Sequence, residues 1–115
     1  MSNYTAPVAD MGFVLKEVVA LKKLCEFADF DPSTVDIVET VLDAAGKLAK
    51  EEIEPTNQPG DLQGVKIDST GKVTTAEGFK EAYQHYVDGG WGSLQFSPEY
   101  GGQGMPFVVA ASVQE

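Results

Sequence analysis

The chain has 115 residues, of which 43% are apolar and 23% charged, and its formal net charge is -10. This length fits one domain, and the apolar content distinguishes the chain from a disordered acidic tail. All eight basic residues are lysines. Because arginine supplies the planar fork that grips phosphate, the composition argues against nucleic-acid binding and against a polyphosphate group held by this chain alone.

The single cysteine, Cys25, cannot form an internal disulfide, which favours a reducing compartment. No run approaches the roughly 20 apolar residues of a membrane span. The first fifteen residues lack a basic leader and a cleavage site. We therefore expect a cytoplasmic protein with no membrane span.

Hydrophobic spacing predicts a mainly α-helical fold, a bundle of about four helices with a small β-hairpin. Residues 2–9 are predicted to form an extended arm, and Asp10 is a candidate cap for a first helix over about 11–28. The apolar stripe of that helix consists of Met11, Val14, Leu15, Val18, Leu21, Leu24 and Cys25.

The second helix should begin at Asp31 and Pro32, which match an N-cap followed by proline in the first turn. It should stop at Glu54, because Pro55 disfavours a helical residue before it. Gly46 inside this helix costs about 1 kcal/mol relative to alanine, and a close helix crossing would be a reason for it.

A marginal hairpin is predicted around residues 68–71, between two short runs of alternating type. The third helix should begin near Thr74 or Thr75, because Thr74 and Glu77 have the spacing of a capping box. Pro106 opens a fourth helix, which continues to Glu115 as an apolar run without a capping signal. Because its exposed face would need a partner, we expect a chain truncated within this helix or completed by another polypeptide.

Residue types that could carry chemistry are few. His85 and Glu81 form an i, i+4 pair, but two ligands are too few for a zinc site, so a surface or half-buried histidine is the favoured interpretation. Cys25 lies on the apolar stripe, which favours packing over reactivity. Acidic side chains near the end of the second helix favour a solvated cluster over an acid–base pair; they are Glu51, Glu52 and Glu54.

Glycines are concentrated after the third helix, at positions 89, 90, 92, 101, 102 and 104. They lack the spacing and the lysine of a phosphate-binding loop. Tight backbone turns around Trp91, Phe96 and Tyr100 are the favoured interpretation.

This region also carries a recognisable motif. The run 90–94, Gly-Trp-Gly-Ser-Leu, and the run 97–106, Ser-Pro-Glu-Tyr-Gly-Gly-Gln-Gly-Met-Pro, resemble the acyl-CoA dehydrogenase family. In that family, a tryptophan-led turn precedes a Pro-Glu-Tyr-Gly-Gly stretch that opens the next helix. Residues 48–57 and 79–83 resemble the preceding elements of its amino-terminal helical domain.

Residues 4–30 resemble an extension found on the branch that includes 3-(methylthio)propanoyl-CoA dehydrogenases. The resemblance therefore divides the chain into an amino-terminal extension, residues 1–30, and a helical domain, residues 31–115, truncated within its last helix. It covers only the amino-terminal part of a protein about five times longer.

The resemblance implies a flavoprotein of fatty acid metabolism that binds FAD and oxidises an acyl-CoA thioester between its α and β carbons. It also implies a homo-oligomer that passes electrons to an electron-transfer flavoprotein. In the family, the catalytic glutamate and the main flavin contacts lie in later domains, so we assign no catalytic, cofactor-binding or metal-binding residue here, and expect the 115 residues alone to be inactive and to bind no cofactor.

Five residues match the family motif and are interpreted as shaping the domain and its interface with the remaining domains of the same polypeptide: Trp91, Pro98, Tyr100, Gly101 and Gly102. The alternative is a free-standing acidic helical interaction module without catalysis.

Overall fold

The structure is a computed structural model that describes residues 4–115, and it is mainly helical. The chain begins with α1 (Val8–Phe13), a π-helical turn (Val14–Val18) and α2 (Leu21–Phe27). Next come α3 (Thr34–Leu48), a second π-helical turn (Ala49–Ile53), a 3-10 turn (Glu54–Thr56) and α4 (Asn57–Gln63). The chain continues with β1 (Lys66–Ile67), β2 (Val73–Thr74), α5 (Phe79–Asp88), two 3-10 turns (Trp91–Ser93 and Pro98–Tyr100) and α6 (Phe107–Gln114). The predicted fold class, helices with one small antiparallel hairpin, is confirmed.

One hydrophobic core joins the beginning and the end of the chain. It is formed by side chains from the π-helical turn after α1, from α2 and α3, from the connection after α5, and from α6: Leu15, Leu21, Cys25, Val38, Leu42, Leu94, Met105, Val109 and Ala110. The amino-terminal extension therefore packs against the rest of the helical domain, because both bury apolar side chains in the same core.

The first helix was predicted as one continuous segment, and this is wrong. After Phe13 the α-helical hydrogen-bond pattern changes to that of the π-helical turn. The helix is then interrupted at Ala20, which adopts a left-handed conformation with φ of 54°. The change of direction places Leu21 and Cys25 in the core, while Val14 and Val18 are exposed. Simple helical periodicity assumes an unbroken α-helix, so it assigned those two valines to the buried face.

The predicted arm is shorter than expected. Residues 2 and 3 lie outside the described part of the chain, and α1 begins at Val8, before the expected cap Asp10. Pro7 occupies the cap position and no side chain caps the helix. The end of the arm and the start of α1 cross α3 at Gly46, where an added Cβ would lie 3.5 Å from Ala6 Cβ and 3.2 Å from Val8 Cγ2. This contact supplies the close crossing that the glycine suggested.

The second predicted helix begins as expected but does not stop at Glu54. The backbone N–H of Ser33 donates to the Asp31 carboxylate at 2.9 Å, and α3 begins at Thr34. Pro55 stands in the new 3-10 turn, and the helical course continues to Gln63. Proline is tolerated in the first turn of a helical segment, and the 3-10 turn that follows the π-helical turn starts such a segment at Glu54.

The hairpin pairs Lys66 with Thr74 and Ile67 with Val73 in antiparallel register. Thr74 therefore belongs to a strand, and the predicted capping box with Glu77 is wrong. The third predicted helix, α5, begins at Phe79 after Gly78, whose φ of 85° turns the chain. Thr74 pairs with Lys66 in the hairpin, so it is not available as the cap of α5.

Candidate interface in the glycine-rich loop

Residues 90–106, called the glycine-rich loop below, close on themselves through backbone hydrogen bonds. The N–H groups of Met105 and Gly104 donate to the carbonyls of Leu94 and Phe96, both at 2.9 Å. Nearer the tip, the N–H of Gly102 donates to the Ser97 carbonyl at 3.0 Å. The loop is therefore a compact unit whose two arms run side by side, with the Pro98–Tyr100 turn at its tip.

Two of the motif glycines are required by this geometry. Gly101 has a φ of 84°, a left-handed conformation that disfavours a side chain. An added Cβ at Gly102 would overlap the carbonyl oxygen of Phe96, so the two arms approach too closely for any other residue. The motif spacing thus reflects the closure of the loop, in agreement with the tight backbone turns predicted for these glycines.

The inner side of the loop is fixed in the hydrophobic core. Leu94 is 2% exposed and Met105 is 6% exposed, and Pro106, the last residue of the loop before α6, is fully buried. Trp91 is partly buried and packs against the same core. These anchors hold the loop at both of its ends, so its outer surface has a defined position on the domain.

The outer surface of the loop presents aromatic rings to solvent. Tyr100 is 82% exposed, and Phe96 and Phe107, the first residue of α6, are also mostly exposed. Pro98 and Gly101 are exposed beside Tyr100. Of the motif residues, the structure therefore places Trp91 inward and the Pro98–Tyr100 turn outward.

Charge is depleted over the same segment. Residues 89–114 contain one charged side chain, Glu99, although 23% of the whole chain is charged. Aromatic enrichment together with charge depletion is typical of protein–protein interface cores. This signal can be read in the sequence as a run of uncharged residues, although the motifs above did not predict an aromatic surface on the loop.

The chain is less compact than an isolated domain of its length, so it exposes surface that a partner could bury. Its radius of gyration is 17.1 Å, and its extents are 55 × 34 × 17 Å. A compact domain of this length has a radius of gyration of about 13 Å. The accessible surface is 8098 Å², against about 6,100 Å² for a monomeric protein of this mass. The excess of about 2,000 Å² is more than twice the roughly 800 Å² that each partner contributes to a standard interface.

The other candidate residues lie apart from the loop. His85 Nδ1 meets Glu52 Oε2 at 2.6 Å and not Glu81, so the contact joins α5 to the second π-helical turn. The His85 side chain is half exposed, which agrees with the prediction of a surface or half-buried histidine. Within residues 4–115, no group of three metal-ligating side chains comes together.

Cys25 is a buried packing residue, as predicted, with 2% of its surface exposed. Burial raises the pKa of its thiol, and the carboxylates of Asp31 and Glu26 raise it further. The acidic residues Glu51, Glu52 and Glu54 lie in the middle of a longer helical segment, and the carboxylate of Glu52 contacts the His85 ring. No helix among the described residues is long and apolar enough to cross a membrane.

Two known proteins are similar in sequence to this chain. No protein-family model matches it. It is 33% identical to a 3-methylmercaptopropionyl-CoA dehydrogenase of Ruegeria pomeroyi over 98% of this chain and 19% of the relative. It is 28% identical to a broad-specificity linear acyl-CoA dehydrogenase of Mycobacterium tuberculosis, over its whole length and again 19% of the relative.

The chain spans about a fifth of the length of the curated relatives it matches. The alignment includes the closed loop, its buried anchors and the amino-terminal helices, since it covers nearly every residue. The resemblance read from the motif is therefore confirmed: the chain is homologous, over its whole length, to the amino-terminal region of acyl-CoA dehydrogenases.

Proposed function

We propose that this chain acts as the amino-terminal helical domain of an FAD-dependent acyl-CoA dehydrogenase, an enzyme that oxidises an acyl-CoA thioester between its α and β carbons. The observation that carries the proposal is the alignment of nearly the whole chain with a fifth of two acyl-CoA dehydrogenases. The exposed aromatic surface of the glycine-rich loop supports it, because a domain of a larger enzyme needs such a contact surface.

Within that enzyme, the chain supplies scaffold, part of the acyl-pocket wall and oligomer contacts. The five motif residues are proposed to act through the loop: Gly101 and Gly102 allow its closure, and Trp91 anchors it. Pro98 and Tyr100 then present its tip to the remaining domains. None of these side chains is proposed to take part in the chemical step.

The described residues do not suit FAD by themselves. The chain has no arginine and a net charge of -10, so a pyrophosphate would be repelled over much of its surface. The apolar groove beside α6 carries Glu54 and Glu115 in its lining. We therefore propose that the flavin is held by the other domains, and that acyl-CoA and an electron-transfer flavoprotein are partners of the whole cytoplasmic enzyme.

A direct test compares this chain with the longer protein encoded by its reading frame. The longer protein should purify with the yellow absorbance of bound flavin and should reduce an electron acceptor when an acyl-CoA is added. The 115-residue chain should be colourless and inactive. A longer protein without flavin or dehydrogenation, or a stop codon directly after residue 115, would favour the free-standing interaction module.

A further inference from the structure

An apolar groove of about 430 Å³ lies between the amino-terminal arm, α3 with its π-helical turn, and the last turn of α6. Its floor consists of small residues of α3 and the turn, namely Ala45, Gly46 and Ala49. Met11 and Leu42 line the groove as well, and so does Ile53. Small residues on a helix surface allow another backbone to approach closely.

This groove continues a helix face that is already covered nearby. Val38 and Leu42 lie on the same stripe of α3 as Ala45 and Ala49, and they are 0% and 2% exposed. Val109 and Ala110 of α6, which packs against α3, share their core. Ala45 and Ala49 are only partly buried, and Ile53, further along, is 43% exposed. Cover therefore decreases along one continuous apolar face.

The last turn of α6 lies beside this less covered part of the face. Ser112, Val113, Gln114 and Glu115 all line the groove, so the last turn of α6 forms one of its walls. α6 is apolar on nearly every side, and a helix of that kind is normally surrounded by protein. We propose that the polypeptide that follows residue 115 in the longer protein continues along this groove and covers Ala45, Ala49 and Ile53.

The inference rests on the proposed function, because it requires a longer chain. The length of the relatives supports a following polypeptide as the occupant of the groove. They are about five times longer than the part matched here, as the 19% coverage shows. A second copy of this chain is a less suitable occupant. Each copy carries a net charge of -10, and Glu54 and Glu115 would bring like charges together at the groove.

Thiol labelling tests the occupant directly, because the native Cys25 is buried and gives a low background. Ala49→Cys places a thiol on the groove floor, and Ala44→Cys is the matched control on the exposed side of α3. We expect Ala49→Cys to react about tenfold or more slowly in the longer protein than in the 115-residue chain, because accessibility limits thiol reactivity. Ala44→Cys should react at similar rates in both.

A second measurement does not depend on thiol chemistry. Ala49→Leu should leave the melting temperature of the 115-residue chain nearly unchanged, because the groove has room for the larger side chain. In the longer protein the same substitution should lower the melting temperature, because the site is filled. Equal effects in both proteins, together with equal labelling of Ala49→Cys, would overturn the proposal.

Two other results are informative. Protection of Ala49→Cys that rises with the concentration of the 115-residue chain would identify a second copy as the occupant and would refute the inference. A yellow, active longer protein with a freely reactive Ala49→Cys would refute the groove assignment and leave the proposed function intact. A protected Ala49→Cys in a colourless, inactive protein would support the groove assignment and refute the dehydrogenase function.

Discussion

Two glycine-containing connections of this chain are held in place by different means. The glycine-rich loop is anchored at both ends by buried side chains, Leu94 and Met105, and its arms join through backbone hydrogen bonds. The hairpin of β1 and β2 pairs only two residues on each strand, and all of its residues are exposed. The first connection depends on the core, whereas the second depends on its own turn.

The hairpin turn is organised by one carboxylate. Asp68 accepts hydrogen bonds from the Thr70 hydroxyl at 2.6 Å and from the backbone N–H groups of Thr70 and Lys72 at 2.8 and 3.0 Å. A two-stranded hairpin without further cover is only marginally stable in water. Disturbing the glycine-rich loop should therefore destabilise the whole domain, and disturbing the hairpin should have only local effects.

The largest expected effect comes from removing an anchor of the loop. Leu94→Ala should lower the free energy of unfolding by about 3 kcal/mol, because a buried leucine leaves a cavity in the core. The matched control is Leu62→Ala at the end of α4, where the side chain is 75% exposed. That change should alter stability by no more than about 0.5 kcal/mol. Urea unfolding curves measure both, and similar midpoints would contradict the role of Leu94 as an anchor of the loop.

The close approach of the loop arms gives the second prediction. Gly102→Ala should cost about 1–3 kcal/mol, because its Cβ overlaps a backbone carbonyl that cannot move without breaking the closure. Gly12→Ala is the control, since Gly12 lies within α1 and an added Cβ meets nothing within 4 Å. The control should be neutral or stabilise by up to about 1 kcal/mol. Thermal unfolding that ranks the two variants in the opposite order would refute the argument.

Much of this contrast was predictable from the sequence, and the parts that failed have physical causes. The motif glycines predicted tight turns because glycine alone tolerates left-handed backbone, as at Gly101. The alternation around Asp68 predicted the hairpin because the period of a strand is two. Local patterns of this kind are decided by neighbours in sequence, so sequence alone was sufficient.

The failures arise where distant contacts decide the outcome. The break at Ala20 places a non-glycine residue in left-handed backbone, and no local signal marks it. Tertiary packing of Leu15 and Leu21 in one core requires that change of direction. The exposed surface of the loop was missed for a similar reason: the sequence shows that Phe96 is apolar, but only the fold shows that the core does not reach it.

A pH measurement sharpens the hairpin side of the comparison. The Thr70 hydroxyl, followed by the backbone N–H groups of Lys72 and Thr70, holds the pKa of Asp68 below its usual range. Because the folded pKa is depressed, the stabilisation is present above the unfolded pKa of 3.8 and is lost as the pH falls through the lower folded value. NMR signals of the hairpin should therefore shift below about pH 4 while those of the core remain.

The isosteric Asp68→Asn is the control for this titration, since it keeps an acceptor oxygen but carries no titrating charge. Its hairpin signals should not change over the same pH range. Simultaneous loss of core and hairpin signals in the wild-type chain would show that the two regions unfold as one unit.

The smallest expected effect tests the outward side of the loop. Tyr100 is 82% exposed, so Tyr100→Ala in the 115-residue chain should change the free energy of unfolding by no more than about 0.5 kcal/mol. In the longer protein, the same substitution should lower thermal stability or flavin retention, because the ring is proposed to contact the remaining domains. Tyr83→Ala on α5, where the ring is 68% exposed, is the matched control and should be neutral in both proteins. If Tyr100→Ala leaves melting and flavin content of the longer protein unchanged, the tip of the loop is not a domain contact. The exposed aromatic surface would then need another partner.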